Sequence, residues 1–98
     1  GQKHFIAPLI LSDSNASVQK MAVEVILEMG GKIELENLAF LHATFQTPIF
    51  RFKDDFELRF SGKEVQVRSA SRVGYSDLGA NRKRVLEFQN KLVDRLSP

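Results

Sequence analysis

From Ile33 to Val67 the apolar residues of this chain recur at close to every second position, and on both sides of that run they recur at helical spacing. A period of two lines one face of a strand, and a period of 3.6 lines one face of a helix. A chain that does both in this order is constrained to an α+β fold, with helices covering one side of an antiparallel sheet.

The helical stripes are explicit. Val18, Met21, Ala22, Val25, Ile26 and Met29 form the first, and Gly30-Gly31 stops it. Val85, Phe88, Leu92, Val93 and Leu96 form the second. Between them, Ile33 and Leu35 alternate with charged residues, and Leu38 to Gln46 places Ala39, Leu41, Ala43 and Phe45 opposite Phe40, His42, Thr44 and Gln46. Thr47-Pro48 breaks the pattern. Phe50 and Phe52 read as one short strand and Phe56, Leu58 and Phe60 as the next, with Asp54-Asp55 between them. Ser61-Gly62 reads as a two-residue hairpin turn, and Val65 and Val67 as the return strand. Ahead of all this, His4 to Leu11 reads as a strand that Pro8 confines to an edge or a bulge. Ser12-Asp13-Ser14-Asn15 is a turn with candidate N-caps. The expectation is one domain over residues 1–98, a twisted antiparallel sheet of about four to five strands with two amphipathic helices on one face. The order β-α-β4-α is TBP-like or helix-grip-like by analogy, and the analogy carries no function.

Composition narrows the function classes. Ninety-eight residues suffice for one modest core, burying roughly 65% of the unfolded surface. The longest apolar run, Phe5 to Leu11, is far short of a membrane span. No signal peptide is visible. Gly1-Gln2-Lys3 reads as a cut edge, so a targeting or anchor segment could precede it, and cytoplasm and cell envelope both stay open. With no cysteine, disulfides and thiolate metal sites are excluded within these residues. The formal net charge of +2 is mild. Basic residues concentrate from Arg68 to Arg95, but no stacking aromatics interleave Asn81-Arg82-Lys83-Arg84, which argues against nucleic acid. An exposed edge near His4 to Leu11 leaves a homodimer open.

Chemistry-bearing residues concentrate in Val67 to Arg84, which reads as an Arg-rich loop running into the last helix. It holds four arginines, three serines, two glycines and the only tyrosine. Arg68, Arg72, Arg82 and Arg84 could converge on a phosphate or carboxylate, with Gly74, Gly79 and the helix start admitting close approach. The competing reading pairs these arginines with Asp54, Asp55, Glu57 and Asp77 as an internal polar lock. Ser76 and Asp77 read as caps of the last helix, and Tyr75 as a ring packed under the loop. Asp54, Asp55 and Glu57 lack calcium-loop spacing, and no metal or cofactor is expected. His42 reads as a solvent-facing strand histidine, and nothing fixes a Ser–His–Asp arrangement, so no catalytic residue is assigned.

Phe50-Arg51-Phe52-Lys53-Asp54-Asp55-Phe56-Glu57, Val67-Arg68-Ser69-Ala70-Ser71-Arg72-Val73-Gly74-Tyr75-Ser76-Asp77-Leu78-Gly79 and Asn81-Arg82-Lys83-Arg84 together resemble the signature of domain-of-unknown-function family 1499, found in bacteria and plant plastids. The resemblance runs from His4-Phe5-Ile6-Ala7-Pro8-Leu9 to the final helix. Members often carry a Pro/Cys/Asn-containing segment ahead of this region, absent here. The resemblance implies fold and extent; the family has no established activity. The favoured expectation is a non-enzymatic ligand-binding or accessory module for an anionic or amphipathic partner. Its ligand-binding residues would be Arg68, Ser69, Ser71, Arg72, Tyr75, Ser76, Asp77, Asn81, Arg82, Arg84, Asp54 and Asp55, together with the polar sheet face. The alternatives are an enzyme using Asp54, Asp55, Arg68 and Arg72 on a small anionic substrate, and a structural interaction domain in which the motif is the lock.

Overall fold

The computed structural model describes residues 3–5, 9–10, 15–47, 51–61, 64–72 and 78–96. In chain order the elements are β1 (Lys3–Phe5), β2 (Leu9–Ile10), α1 (Asn15–Glu28), β3 (Lys32–Glu36), β4 (Phe40–Gln46), β5 (Lys53–Ser61), β6 (Glu64–Ser71) and α2 (Leu78–Leu96). β3 to β6 form an antiparallel meander, and β1 and β2 lie end to end, antiparallel, along the outer side of β6. α1 therefore carries the chain from one edge of the sheet to the other. The expected α+β fold and its β-α-β4-α order are present, with the first strand in two pieces.

Strand alternation decides what faces the helices. On β4, Leu41, Ala43 and Phe45 are buried, on β5 Phe56, Leu58 and Phe60, and on β6 Val65 and Val67. Against them pack Val18, Ala22, Val25 and Ile26 of α1 and Val85, Phe88 and Leu92 of α2, in one continuous core. Phe56 sits at its centre, edge-on to Phe45 at 5.4 Å and to Phe88 at 5.2 Å. Aromatic pairs favour such edge-to-face approach. Val93 departs from expectation: it is 39% exposed, because it lies one position off the 85, 88, 92, 96 row that the sheet covers.

The helices run antiparallel, and Lys91 and Arg95 reach Glu28 and Glu24 at 3.5 Å. These are exposed pairs of small energetic weight. α1 ends in a Schellman motif: Gly31 N–H donates to Ile26 O, Gly30 N–H donates to Leu27 O, and Gly30 takes φ of 92°. Gly31 is required for another reason. A Cβ there would meet Ile26 Cγ2 at 2.7 Å and Phe45 Cζ at 2.8 Å.

Several boundaries differ from the sequence reading. Phe52 is not in a strand; β5 is one nine-residue strand from Lys53, so Asp54-Asp55 lie within it rather than between two strands. The break is made by Thr47, whose N–H donates to Phe52 O and whose hydroxyl accepts from Phe52 N–H. Leu38 precedes β4 and is 90% exposed, because Asn37 closes a turn there by accepting from Ala39 N–H through its side chain. Ser61 ends β5 and pairs with Glu64, while Gly62, Pro8, Phe50 and Ser12 to Ser14 lie outside the described residues.

Substituting either glycine tests this packing by different routes. Gly30→Ala should cost about 1 kcal/mol through its left-handed backbone. Gly31→Ala should cost about 1–3 kcal/mol by overpacking the Ile26–Phe45 contact. Urea unfolding checks both, and a neutral Gly31→Ala would contradict the packing described.

Candidate functional site

The segment expected to be an Arg-rich loop is mostly regular structure. Val67 to Ser71 belong to β6, and Leu78 to Arg84 are the first turns of α2. Pairing with β5 on one side and β1 on the other makes Val67 to Ser71 an interior strand. Its residues therefore divide between the two faces of the sheet.

On the helix side lie Asp54, Ser69 and Ser71. Ser69 is fully buried and donates its hydroxyl to Asn81 Oδ1 at 2.6 Å. Asn81, 1% exposed in the first turns of α2, donates from Nδ2 to Ser71 Oγ at 3.2 Å. One turn on, Arg84 Nη1 donates to Asp54 Oδ2 at 2.8 Å and to Asn81 Oδ1 at 3.4 Å. The guanidinium also lies 4.8 Å over the Phe45 ring. The Arg84 and Asp54 side chains are only 17% and 6% exposed. Five polar side chains thus satisfy one another at the seam between α2 and the strands, as buried polar groups must.

On the opposite, open face lie Arg68, Arg72, Asp55 and Glu57. Arg72 grips Asp55 with both prongs, Nε to Oδ2 at 2.9 Å and Nη2 to Oδ1 at 2.8 Å. His42 Nε2 lies 2.7 Å from the same Oδ1. Arg68 Nη2 donates to Glu57 Oε1 at 2.8 Å, and Thr44 Oγ1 donates to Glu34 Oε2 at 2.7 Å. Arg59 lies 5.4 Å over the Phe40 ring. Cross-strand register explains these neighbours. Thr44 stands opposite Asp55 on β5, and His42 opposite Glu57, which in turn stands opposite Arg68 on β6.

The charge geometry shifts two carboxyls. The Arg72 guanidinium holds Asp55 below the usual carboxylate range, helped by His42 and opposed by partial burial. Asp55 in turn raises Arg72. The Thr44 hydroxyl is the main cause lowering Glu34, with Lys32, Lys53 and His42 adding to it.

The four arginines of the motif therefore do not share one face. Arg84 is on the helix side, Arg68 and Arg72 are on the open face, and Arg82 is exposed on α2 with no ion pair among the described residues. The four-residue Asp54, Asp55, Arg68, Arg72 enzyme site does not form on one face either, because adjacent strand residues point opposite ways. Tyr75, Ser76 and Asp77 lie outside the described residues. Two residues of the open face, Thr44 and Glu34, were not singled out from sequence. His42 does face away from the helices, but it is bonded to Asp55 and only 25% exposed, and it is joined by Thr44 and Glu34. Alternation had placed His42 and Thr44 on one face; only strand register names their partners. Among the described residues no group of three or more His, Asp or Glu is arranged to hold a metal ion.

Two measurements separate the faces. Asn81→Ala, which strands the Ser69 hydroxyl and a donor of Arg84, should cost about 2–3 kcal/mol in urea unfolding. Arg82→Ala should change stability by less than about 0.5 kcal/mol. Acid unfolding reads the open face. Because the folded pKa of Asp55 is lowered, its contribution is present above the ordinary carboxylate pKa of about 3.9 and is lost as pH falls through the lowered folded value. The wild type should therefore lose stability with acid more steeply than Asp55→Asn; parallel curves would contradict the Arg72–Asp55 geometry.

Comparison with known proteins places these residues in a family. Residues 1–92 match the family described as "Protein of unknown function (DUF1499)". No curated protein matches the chain. A match across nearly the whole chain, including both halves of the divided motif, means that this protein belongs to the DUF1499 family.

Proposed function

We propose that this chain is a non-enzymatic binding module whose binding surface is the open sheet face, and that the helix-side half of the motif is an internal polar lock. The observation carrying this reading is the division of the motif by strand alternation. Asp54, Ser69, Asn81 and Arg84 bond to one another under α2. Arg72, Asp55, His42 and Arg68 present partly exposed, pre-oriented charge on the face that neither helix covers, with side-chain exposures of 25 to 45%. Charge arrays held in fixed geometry supply specificity and fast encounter more than raw affinity. That suits recognition of an anionic or amphipathic partner.

One observation favours the enzyme alternative. A carboxylate-bound imidazole, as in His42–Asp55, is a recurring general-base arrangement. On the same face, however, the Thr44 hydroxyl is already committed to Glu34, and the Ser69 and Ser71 hydroxyls lie on the other side.

Amide shift mapping by NMR with anionic and amphipathic probes (oligoglutamate, inorganic phosphate, anionic vesicles) tests the reading. Responses should cluster on β4 to β6 at open-face positions such as His42, Asp55 and Arg68. Responses confined to α1 and α2, or to Arg82 and its helical neighbours, would overturn it.

A further inference from the structure

We propose that the partner of the open face is an extended acidic polypeptide segment, with carboxylates at one end and an aliphatic side chain at the other. This deepens the binding reading above and rests on it.

The open face is two-ended. Lys32 stands opposite Thr44, Lys53 opposite Gln46, and Arg72 donates its backbone N–H to Lys53 O, so three cations share the Gln46 end of β4. Lys32 and Lys53 are exposed and have no ion-pair partner within 4.0 Å among the described residues. The carboxylates at this end are already engaged, Glu34 by Thr44 and Asp55 by Arg72 and His42. Lys32 and Lys53 also act through space on Glu34, but with Arg72 they make three cations against the two carboxylates Glu34 and Asp55, so this end favours incoming negative charge.

The other end carries the apolar surface of the face, with one cation, Arg59, laid over the Phe40 ring. Leu35 stands opposite His42 and is therefore on the open face, where it is 52% exposed. Phe40, two residues before His42 on β4, lies diagonal to it on the same face. The two ends are separated by the run from Phe40 to Gln46, about 20 Å at strand rise. An extended segment of about six or seven residues spans that distance.

The chemistry of the ends selects polypeptide over other polyanions. The guanidinium forks of Arg68 and Arg72, the groups best shaped for phosphate, are occupied by Glu57 and by both oxygens of Asp55. At the Gln46 end the strand cations without an ion pair are the ammonium groups of Lys32 and Lys53, compact point charges that pair with single carboxylates. The Phe40 ring, the aromatic on which a base would stack, already carries Arg59.

The test uses an eight-residue synthetic peptide with leucine at one end and three glutamates at the other. Binding is followed by amide shifts and by fluorescence anisotropy. Controls are the same peptide with lysine for glutamate, one with leucine moved among the glutamates, inorganic phosphate, and anionic phospholipid vesicles. The expected result is saturable shifts at Lys32, Leu35 and Lys53, lost with the lysine peptide and weakened by the rearranged one. Joint Lys32→Gln and Lys53→Gln substitution, both at exposed positions, should weaken binding roughly tenfold while the unfolding midpoint changes little. Open-face shifts indifferent to glutamate or to leucine position would overturn this inference and leave the binding reading standing. Tighter response to vesicles or phosphate than to the peptide would do the same. No open-face response to any probe would overturn both.

Discussion

The pair between Asp54 and Arg84 is the constraint on which the rest of the arrangement hangs. Asp54 continues the row of Phe56, Leu58 and Phe60 on β5, so alternation drives a carboxylate into the sheet–helix interface, where it is 4% exposed. An unpartnered charge there would cost several kcal/mol. Arg84 is its partner, and because Arg84 is on α2, the pair sets where that helix lies along the sheet. The guanidinium is itself held from three directions, by Asp54, by Asn81 and by the Phe45 ring. Ser69 and Ser71 complete the arrangement by fixing Asn81. Buried networks of this kind add geometric definition that an apolar seam lacks.

The next residue turns the same logic to the other face. Asp55 points away from the helices and collects Arg72 and His42. Two adjacent aspartates thereby tether the chain on both sides of the connection between β6 and α2, one through Arg72 and one through Arg84. The energetic consequences differ because the environments differ. The Arg84 and Asp54 side chains are 17% and 6% exposed, whereas the Arg72 side chain is 45% exposed, so solvent screens the second pair and not the first. The buried side is built for stability. The exposed side has its charges in fixed positions and still in contact with water, which is the condition for exchanging water for a partner.

Much of the architecture was legible in the sequence, for clear physical reasons. The 18, 21, 22, 25, 26, 29 stripe has helical periodicity that tertiary context rarely overrides, and four of those six residues are fully buried. Gly30-Gly31 marked the helix end because a Schellman turn needs positive φ at the first and, here, no Cβ at the second. Phe52 misled because the aromatic alternation of the sequence runs on through it, even though its backbone is bonded to Thr47 ahead of β5. The polar cluster was legible in its membership but not in its division. Asp54, Asp55, Ser69, Arg72 and Arg84 are all visible as polar residues in a short stretch. Whether they face each other depends on β5–β6 register and on α2 lying over one side, and neither is encoded locally. His42 shows the limit most clearly, since its partner Asp55 sits on the neighbouring strand, thirteen residues away.

The most direct test of this account is a double-mutant cycle on Asp54→Ala and Arg84→Ala, followed by urea unfolding. A lock predicts strong coupling: each single substitution costs about 3 kcal/mol by stranding its partner, and the double costs at least 1.5 kcal/mol less than their sum. Costs that add within about 0.5 kcal/mol would mean that Asp54 and Arg84 act independently, and the helix-side network would not be what seats α2 on the sheet.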